Sequence, residues 1–342
     1  MWEKSWSNNP CNLLKGDVKT ITFLSLQELR WKVVQLIIDI HVHPFYKENR
    51  ILKEMERAGI ARAVLLAVDA DPMDVEKPEI KNKLRARHLE SGSMEFWGFK
   101  PLTIEDQIKR FFQDLIIYYP DLKSSNQEIA DLVKNHSDKF IGFGSVNPNK
   151  DEEYVEAKLK EIEDLGFKGI KMLPTLQMFN PVENKNFEKI CEYCEKNRKI
   201  ILYHTGCDPG PWENPVISED ANPKYLTNIL ERYNLKIILA HFGSYSAWKP
   251  GIWFEEALEL GRRFDNVYFD TAAVSSFIFS EKVLDKIREN VGLDRLLFGS
   301  DYPVVWGSDM KCEVDFIKAF KNLTEEEKEK ILGLNAMKFL AL

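Results

Sequence analysis

Ile37-Ile38-Asp39-Ile40-His41-Val42-His43-Pro44 is an apolar strand that delivers two histidines at alternate positions just before a proline ends it. Residues i and i+2 of a strand project from one face, so both imidazoles converge on one point, the outline of a clamp for a divalent metal ion. Three later apolar runs end in chemically similar groups: Tyr203-His204-Thr205-Gly206, Ala240-His241-Phe242-Gly243 and Gly299-Ser300-Asp301-Tyr302-Pro303. Together the four strand ends predict a metal-dependent enzyme.

Outward from the first strand, short β-rich runs alternate with amphipathic helical stretches, the pattern of a parallel sheet built from βα units. Eight strands are predicted, at 33–41, 63–68, 140–146, 169–172, 200–203, 237–240, 267–270 and 296–299. Apolar residues at three- and four-residue spacing predict helices at 126–134, 151–165, 183–196, 223–233, 251–264 and 281–291. Eight such pairs suit one α/β domain, a (β/α)8 barrel of the TIM type over residues 33–342. An open sheet holds as many strands, yet only a closed ring brings the ends of the first and eighth together. Barrel closure and a shared site are therefore one hypothesis.

Two stretches fall outside this pattern. Residues 1–32 form an N-terminal extension with Trp2, Trp6 and Trp31, read as an arm over the barrel's far end, a subunit contact, or a poorly ordered terminus. Residues 69–125 are a long insertion after the second strand, holding Arg85, Arg87, His88, Trp97 and an amphipathic helix near 104–118. Springing from the catalytic end of the barrel, it reads as a lid that sets specificity, or else as a packing or dimerisation insert.

Composition narrows the function classes. With 44% hydrophobic and 30% charged residues the chain is a globular protein with ample core material. A net charge of −7 argues against nucleic acid as a partner, because phosphate binding needs a basic surface. Cysteines at 11, 191, 194, 207 and 312 make no disulfide framework, and a cytoplasmic location is expected. No secretory signal or membrane span is visible in the sequence.

Three imidazoles and a carboxylate, His41, His43, His204 and Asp301, are the predicted ligands. That set suits Zn2+, with Mn2+, Fe2+ or Co2+ as substitutes, and leaves a position for a water whose pKa zinc lowers to about 7. His241 is the natural group for proton transfer, its alternative being a second-metal or outer ligand. Asp301 has two tasks in this reading, ligand and proton acceptor. Lys171, where the fourth strand opens, has three readings: carboxylated bridge between two metals, ammonium contact for an anionic substrate, or rim lysine in a salt bridge. Contact with an anionic small molecule is preferred. Cys191 and Cys194 lie on a helix and read as core, Cys207 as a thiol near the mouth, and His136 as a helix-end residue.

The chain resembles the amidohydrolase superfamily, specifically the amidohydrolase-related branch that includes aminocarboxymuconate-semialdehyde decarboxylase. The resemblance rests on Asp39-Ile40-His41-Val42-His43-Pro44, Gly169-Ile170-Lys171, Tyr203-His204-Thr205-Gly206, Ala240-His241-Phe242-Gly243, Asn266-Val267-Tyr268-Phe269-Asp270-Thr271 and Leu297-Phe298-Gly299-Ser300-Asp301-Tyr302-Pro303, in order. It implies a distorted barrel with one divalent metal on His41, His43, His204 and Asp301, His241 as acid/base, and a homodimer. The branch contains hydrolases, decarboxylases, lactonases and hydratases. The first expectation is hydrolysis of a small carboxylate-bearing amide, ester or lactone by metal-activated water. The alternative is non-oxidative decarboxylation of a small unsaturated or aromatic acid, with His241 protonating the carbon that loses carbon dioxide. A barrel that keeps its metal only as a structural element is the third reading.

Overall fold

The computed structural model describes residues 36–45, 48–91, 104–117, 123–208, 210–305 and 307–342. The extension with Trp2, Trp6 and Trp31, and Trp97 of the insertion, lie outside the described residues. Eight strands, β1 (Ile37–Val42), β2 (Ile60–Leu66), β3 (Phe140–Ser145), β4 (Gly169–Met172), β5 (Ile200–Gly206), β6 (Lys236–Tyr245), β7 (Val267–Asp270) and β8 (Leu296–Leu297), follow one another around a parallel sheet in chain order. The ring closes through Ile40 N–H donating to Phe298 O at 3.0 Å, Asp301 N–H to His41 O at 2.9 Å and His43 N–H to Tyr302 O at 2.8 Å. The fold is the expected (β/α)8 barrel.

Strand alternation sorts the apolar side chains into two layers. Val64, Leu66, Ile141, Phe143, Leu202, Ile238 and Leu297 pack in the inner layer, plugged at one end by Phe339 and Leu340 of the last helix. Ala63, Leu65, Phe140, Ile201, Ile237 and Leu239 belong to the outer layer, under the helices. Those helices are α1 (Glu48–Ala58), α4 (Asn126–Asn135), α5 (Glu152–Asp164), α6 (Lys185–Asn197), α7 (Thr227–Arg232), α8 (Phe254–Arg263), α10 (Glu281–Asn290) and α11 (Met310–Ala319), with the short α9 (Ser275–Ile278), α12 (Glu325–Glu329) and α13 (Asn335–Leu340). Their starts are chemically marked: Ser125 with Glu128 forms a capping box on α4, and Asp151, Asn184 and Asp309 cap α5, α6 and α11. Gly333 lies so close to Leu36 O that no Cβ fits, which seats the chain before α13 against the start of β1.

Some boundaries differ from the sequence reading. β8 holds two residues, not four, because Phe298 bonds outward to Ile331 O and His41 O takes the Asp301 amide instead. The helix expected at 223–233 starts as a 3-10 turn, Pro223–Leu226, capped by Asn222, since Pro223 suits the first helical position but donates no hydrogen bond. Within the insertion, a 3-10 turn (Pro72–Glu76) and the helix α2 (Pro78–Glu90) precede the expected amphipathic helix, α3 (Ile104–Ile117). α2 gave no periodic signal because its buried apolar residues are only Ile80 and Leu84.

The insertion is fastened at both ends of its reach. Val68 and Ser124 exchange backbone hydrogen bonds across its base. At its far side Arg87 grips Asp220 with two bonds of 2.8 Å, Lys83 and Asn180 reach the same carboxylate at 2.8 Å, and His88 stacks on Phe111. Asp220 is buried, and Arg87 with Lys83 overcomes that burial to hold its carboxyl below the usual range. Among the described residues no helix is long and apolar enough to cross a membrane.

Because the Asp220 pKa is depressed on folding, its stabilisation is present above about pH 4 and is lost as pH falls through the folded value. Asp220→Asn is expected to lower unfolding free energy at pH 7 by about 3 kcal/mol, as for a buried pair losing one partner. The gap between variant and parent should narrow below pH 4, as followed by urea titration at several pH values.

Candidate metal centre

Every polar residue singled out at a strand end, and Lys171, is carried to the same end of the barrel and buried. His41 lies in β1, within a register irregularity between Asp39 and Val42, and His43 follows just past the strand's end; their ring centroids are 5.2 Å apart. His204 projects from β5 and His241 from β6, with ring centroids 4.9 Å apart, and His241 is also 4.9 Å from His41. His41, His241 and Asp301 offer ligand atoms within 4.8 Å of one another. Asp301 Oδ1 lies 3.3 Å from His41 Nε2 and 3.5 Å from His43 Nε2. The five residues thus form one cluster, whose tightest trio includes His241 in place of His43 and His204.

The backbone is bent hard to achieve this. His241, Phe242 and Asp301 adopt left-handed conformations at φ 60°, 48° and 56°. Such conformations are costly for residues with side chains and persist where surroundings hold them. Here Asp270 Oδ1 accepts the His241 amide at 2.7 Å, and the Thr205 hydroxyl accepts the Gly243 amide at 2.9 Å. Asp39 Oδ1 takes the amides of His41 and Ser300, each at 3.0 Å, tying β1 to the turn that carries Asp301.

Ring tautomers follow from the partners. Asp270 Oδ2 accepts from His41 Nδ1 at 2.9 Å and Ala272 O from His241 Nδ1 at 2.8 Å, which leaves each Nε2 as an acceptor aimed into the cluster. Burial is the main cause that depresses the pKa of all four imidazoles, reinforced by one another or by Lys171, and His241 falls to about 4. Burial also pushes the Asp301 carboxyl well up, against the pull of Lys171. Neutral imidazoles are the form that ligates metal.

Lys171 is fully buried in the barrel centre, its ammonium donating to His41 Nε2 at 3.0 Å. It is therefore not the rim lysine that one reading allowed. Burial lowers its pKa to about 8, opposed by Asp301, Asp270 and Asp208. Cys207 does not face the mouth: it packs with Ala221 and Trp253, fully buried, and burial pushes its thiol up. Cys191 and Cys194 are buried free thiols in the outer core, and His136 caps α4 and pairs with Glu48.

Two carboxylates escaped the sequence reading. Asp270 ends β7, and that position at a barrel strand's C-terminal end was the available signal. Asp208, four residues beyond His204, is buried with Oδ2 3.3 Å from His204 Nε2. Tyr245 was also missed; its ring stacks on His241 at 4.7 Å.

A divalent cation fits this donor set. His41 Nε2 and Asp301 Oδ1 lie 3.3 Å apart beside the Lys171 ammonium, and burial raises the Asp301 carboxyl, so a divalent cation there would take the place of a proton on this pair. His43 Nδ1, His204 Nε2 and Asp208 Oδ2 are buried without hydrogen-bond partners, uncommon for polar atoms unless something else satisfies them.

The family model described as Amidohydrolase matches residues 38–342. A 2-amino-3-carboxymuconate-6-semialdehyde decarboxylase of Dictyostelium discoideum is 26% identical over 250 residues, 64% of this chain and 65% of the relative, so the match spans slightly under two thirds of that protein. A TIM-barrel protein of Bordetella bronchiseptica superposes with a TM-score of 0.58 at 19% identity, covering 89% of this chain and 98% of its own. A manganese-bound 5-carboxyvanillate decarboxylase of Novosphingobium aromaticivorans gives 0.55 at 18% identity, covering 87% and 81%.

Asp270 accepts from the His41 ring through Oδ2 and from the His241 backbone amide through Oδ1, and partners of a ligand's ring typically change metal affinity by about 10- to 100-fold. Asp270→Ala is expected to weaken Mn2+ or Zn2+ binding by that factor, measured by competition with a chromogenic chelator.

Proposed function

Because the chain belongs to the amidohydrolase family, we propose that it is a metal-dependent, non-oxidative carboxy-lyase acting on a small unsaturated or aromatic acid. The observation that carries this reading is Lys171, an ammonium enclosed at the barrel centre beside His41 and facing the carboxylate-rich cluster. A buried cation in that place suits a substrate that arrives as an anion. The decarboxylase named among the relatives supports this over hydrolysis, which the sequence placed first and for which no residue of the site speaks separately.

His41, His43, His204 and Asp301 are the residues we assign to the metal, with Mn2+ and Zn2+ the first ions to test. A divalent ion bound there would polarise substrate oxygens as a Lewis acid. Lys171 holds and orients the substrate carboxylate. As the carbon–carboxylate bond breaks, its electron pair stays on carbon, which takes a proton from His241 Nε2 while carbon dioxide leaves. Burial holds the resting imidazole neutral, its pKa lowered to about 4; the negative charge of a bound anionic substrate adds to the pull of Asp270 and raises it, and the proton that Nε2 then delivers is taken up from water. Ala272 O fixes the ring through Nδ1 and Tyr245 stacks on its face, so Nε2 keeps its aim. Phe45, stacked on His43 and packed on the insertion's apolar cluster, helps exclude water from the cluster.

As partners we expect only the anionic small molecule and a second copy of the chain, as a homodimer. The cytoplasm is the expected compartment; Cys191, Cys194 and Cys207 are free thiols, whereas Cys312 is disulfide-bonded.

Incubation of the metal-loaded protein in 18O water with a panel of enoic and aromatic acids and of carboxylate-bearing lactones, esters and amides decides the reaction. Carbon dioxide release from an acid with no label in the organic product is expected; cleavage of a lactone, ester or amide to a labelled carboxylate would establish hydrolysis instead. His241→Ala should lower kcat by about 10²- to 10⁴-fold, the range for general acid catalysis, with metal content unchanged. Loss of the metal from that variant would move His241 into the ligand set, and chelator treatment of the parent should abolish turnover.

A further inference from the structure

The centre described above is shut off from solvent. His41, His43, Lys171, His204, His241 and Asp301 are each 5% exposed or less. Side chains so enclosed take up no metal ion and touch no substrate until part of the enclosure moves. On the side of β1, β4 and β5 that enclosure is the insertion: Phe45 stacks on His43 and joins an apolar cluster that runs through Met178 beyond β4, Trp212 beyond β5, and Ile80 and Leu84 of α2. Ile80, Lys83, Leu84 and Arg87 lie at three- and four-residue spacing on one face of α2. Only two of them are apolar; the rest of the hold is charge, and it converges on Asp220, which Arg87 meets with both Nη atoms and Lys83 with Nζ. The seat is also incompletely filled, because a cleft of about 550 Å3 undercuts α2 between Ile80 and Lys83 on one side and Met178 and Asn180 on the other. The opposite side of the centre is stitched by main-chain bonds, Cys207 N–H to Tyr245 O at 2.6 Å, Trp253 N–H to Gly243 O at 2.8 Å and His43 N–H to Tyr302 O at 2.8 Å, which the swing of one helix does not release.

We propose that α2 is a gate over the buried centre and that Asp220, gripped by Arg87 and Lys83, is its latch. Opening lifts the face that carries Ile80 and Arg87 off the loops beyond β4 and β5 and admits solvent and small molecules to the histidines. An ion pair suits a part that must separate repeatedly: both partners recover water when they part, whereas an apolar face of equal hold exposes its whole area. Asn180 stays with the barrel and keeps its 2.8 Å bond to Asp220 while α2 is away, so the carboxylate holds its place for reclosing.

The test is carbethoxylation of histidines by diethyl pyrocarbonate on the full chain without added metal, followed residue by residue by peptide mass mapping. His136, partly exposed beside α1, sets the reference rate, and parallel alkylation of the buried Cys191 and Cys194 by iodoacetamide reports global unfolding. Asp220→Asn should raise the rate at His41, His43, His204 and His241 about tenfold or more relative to His136, as for an opening equilibrium that loses one partner of a buried ion pair, with Cys191 and Cys194 still protected. Arg87→Lys keeps the charge but loses the two-pronged grip; it should show the same change in smaller degree, and it decides the matter should Asp220→Asn fail to fold. Arg288→Ala breaks a comparable pair, with Glu327, away from the insertion and should leave the site histidines as slow as in the parent. Equal rates in the parent and the latch variants overturn the gate, as do site histidines that react as fast as His136 in the parent. So does an acceleration that Cys191 and Cys194 share, which marks unfolding of the whole domain, or one that Arg288→Ala reproduces. The readout requires neither bound metal nor turnover, so a missing carbon dioxide signal counts against the carboxy-lyase alone, and equal histidine rates count against the gate alone.

Discussion

The hydrogen bond from the Asp301 amide to His41 O is the contact on which the site depends. It joins the two ends of a sheet separated by most of the chain, and it does so at the residues that carry the chemistry. Were the sheet open at that seam, His41 and Asp301 would sit on opposite edges. Asp39 reinforces the seam by holding the amides of both His41 and Ser300, so an acidic residue with no direct part in the chemistry fixes the spacing of those that have one. Closure and site assembly are the same event, because strand ends meet only in a ring.

Burial then sets the electrical character of the enclosure. Four imidazoles, a lysine and several carboxyl groups are withdrawn from water in one small volume, where each unpaired charge is expensive. The histidines respond by staying neutral and Asp301 by resisting ionisation, while burial lowers Lys171 against the opposing pull of the neighbouring carboxyl groups.

Much of this was legible in the sequence because strand periodicity and strand-end chemistry are local signals. His41, His43, His204, His241 and Asp301 each stood at the end of an apolar run, and eight runs implied a ring. What stayed hidden depends on three-dimensional partners. Lys171 read equally well as rim or interior, since a lysine's depth is decided by the side chains across the barrel. Asp270 ended a quoted strand yet gained a role only once His41 was seen beside it. α2 and its grip on Asp220 were invisible because that helix is mostly polar and is held by ion pairs rather than an apolar stripe. Cys207 misled for the opposite reason: nearness to His204 in sequence does not fix the side of the strand it takes.

The left-handed turns at His241 and Asp301 have an evolutionary implication. Glycine tolerates such geometry far better than histidine or aspartate, so replacing either relieves conformational tension even as it removes chemistry. The working sequence therefore lies uphill of its own inert neighbours, and drift without selection for turnover would yield sturdier, silent barrels.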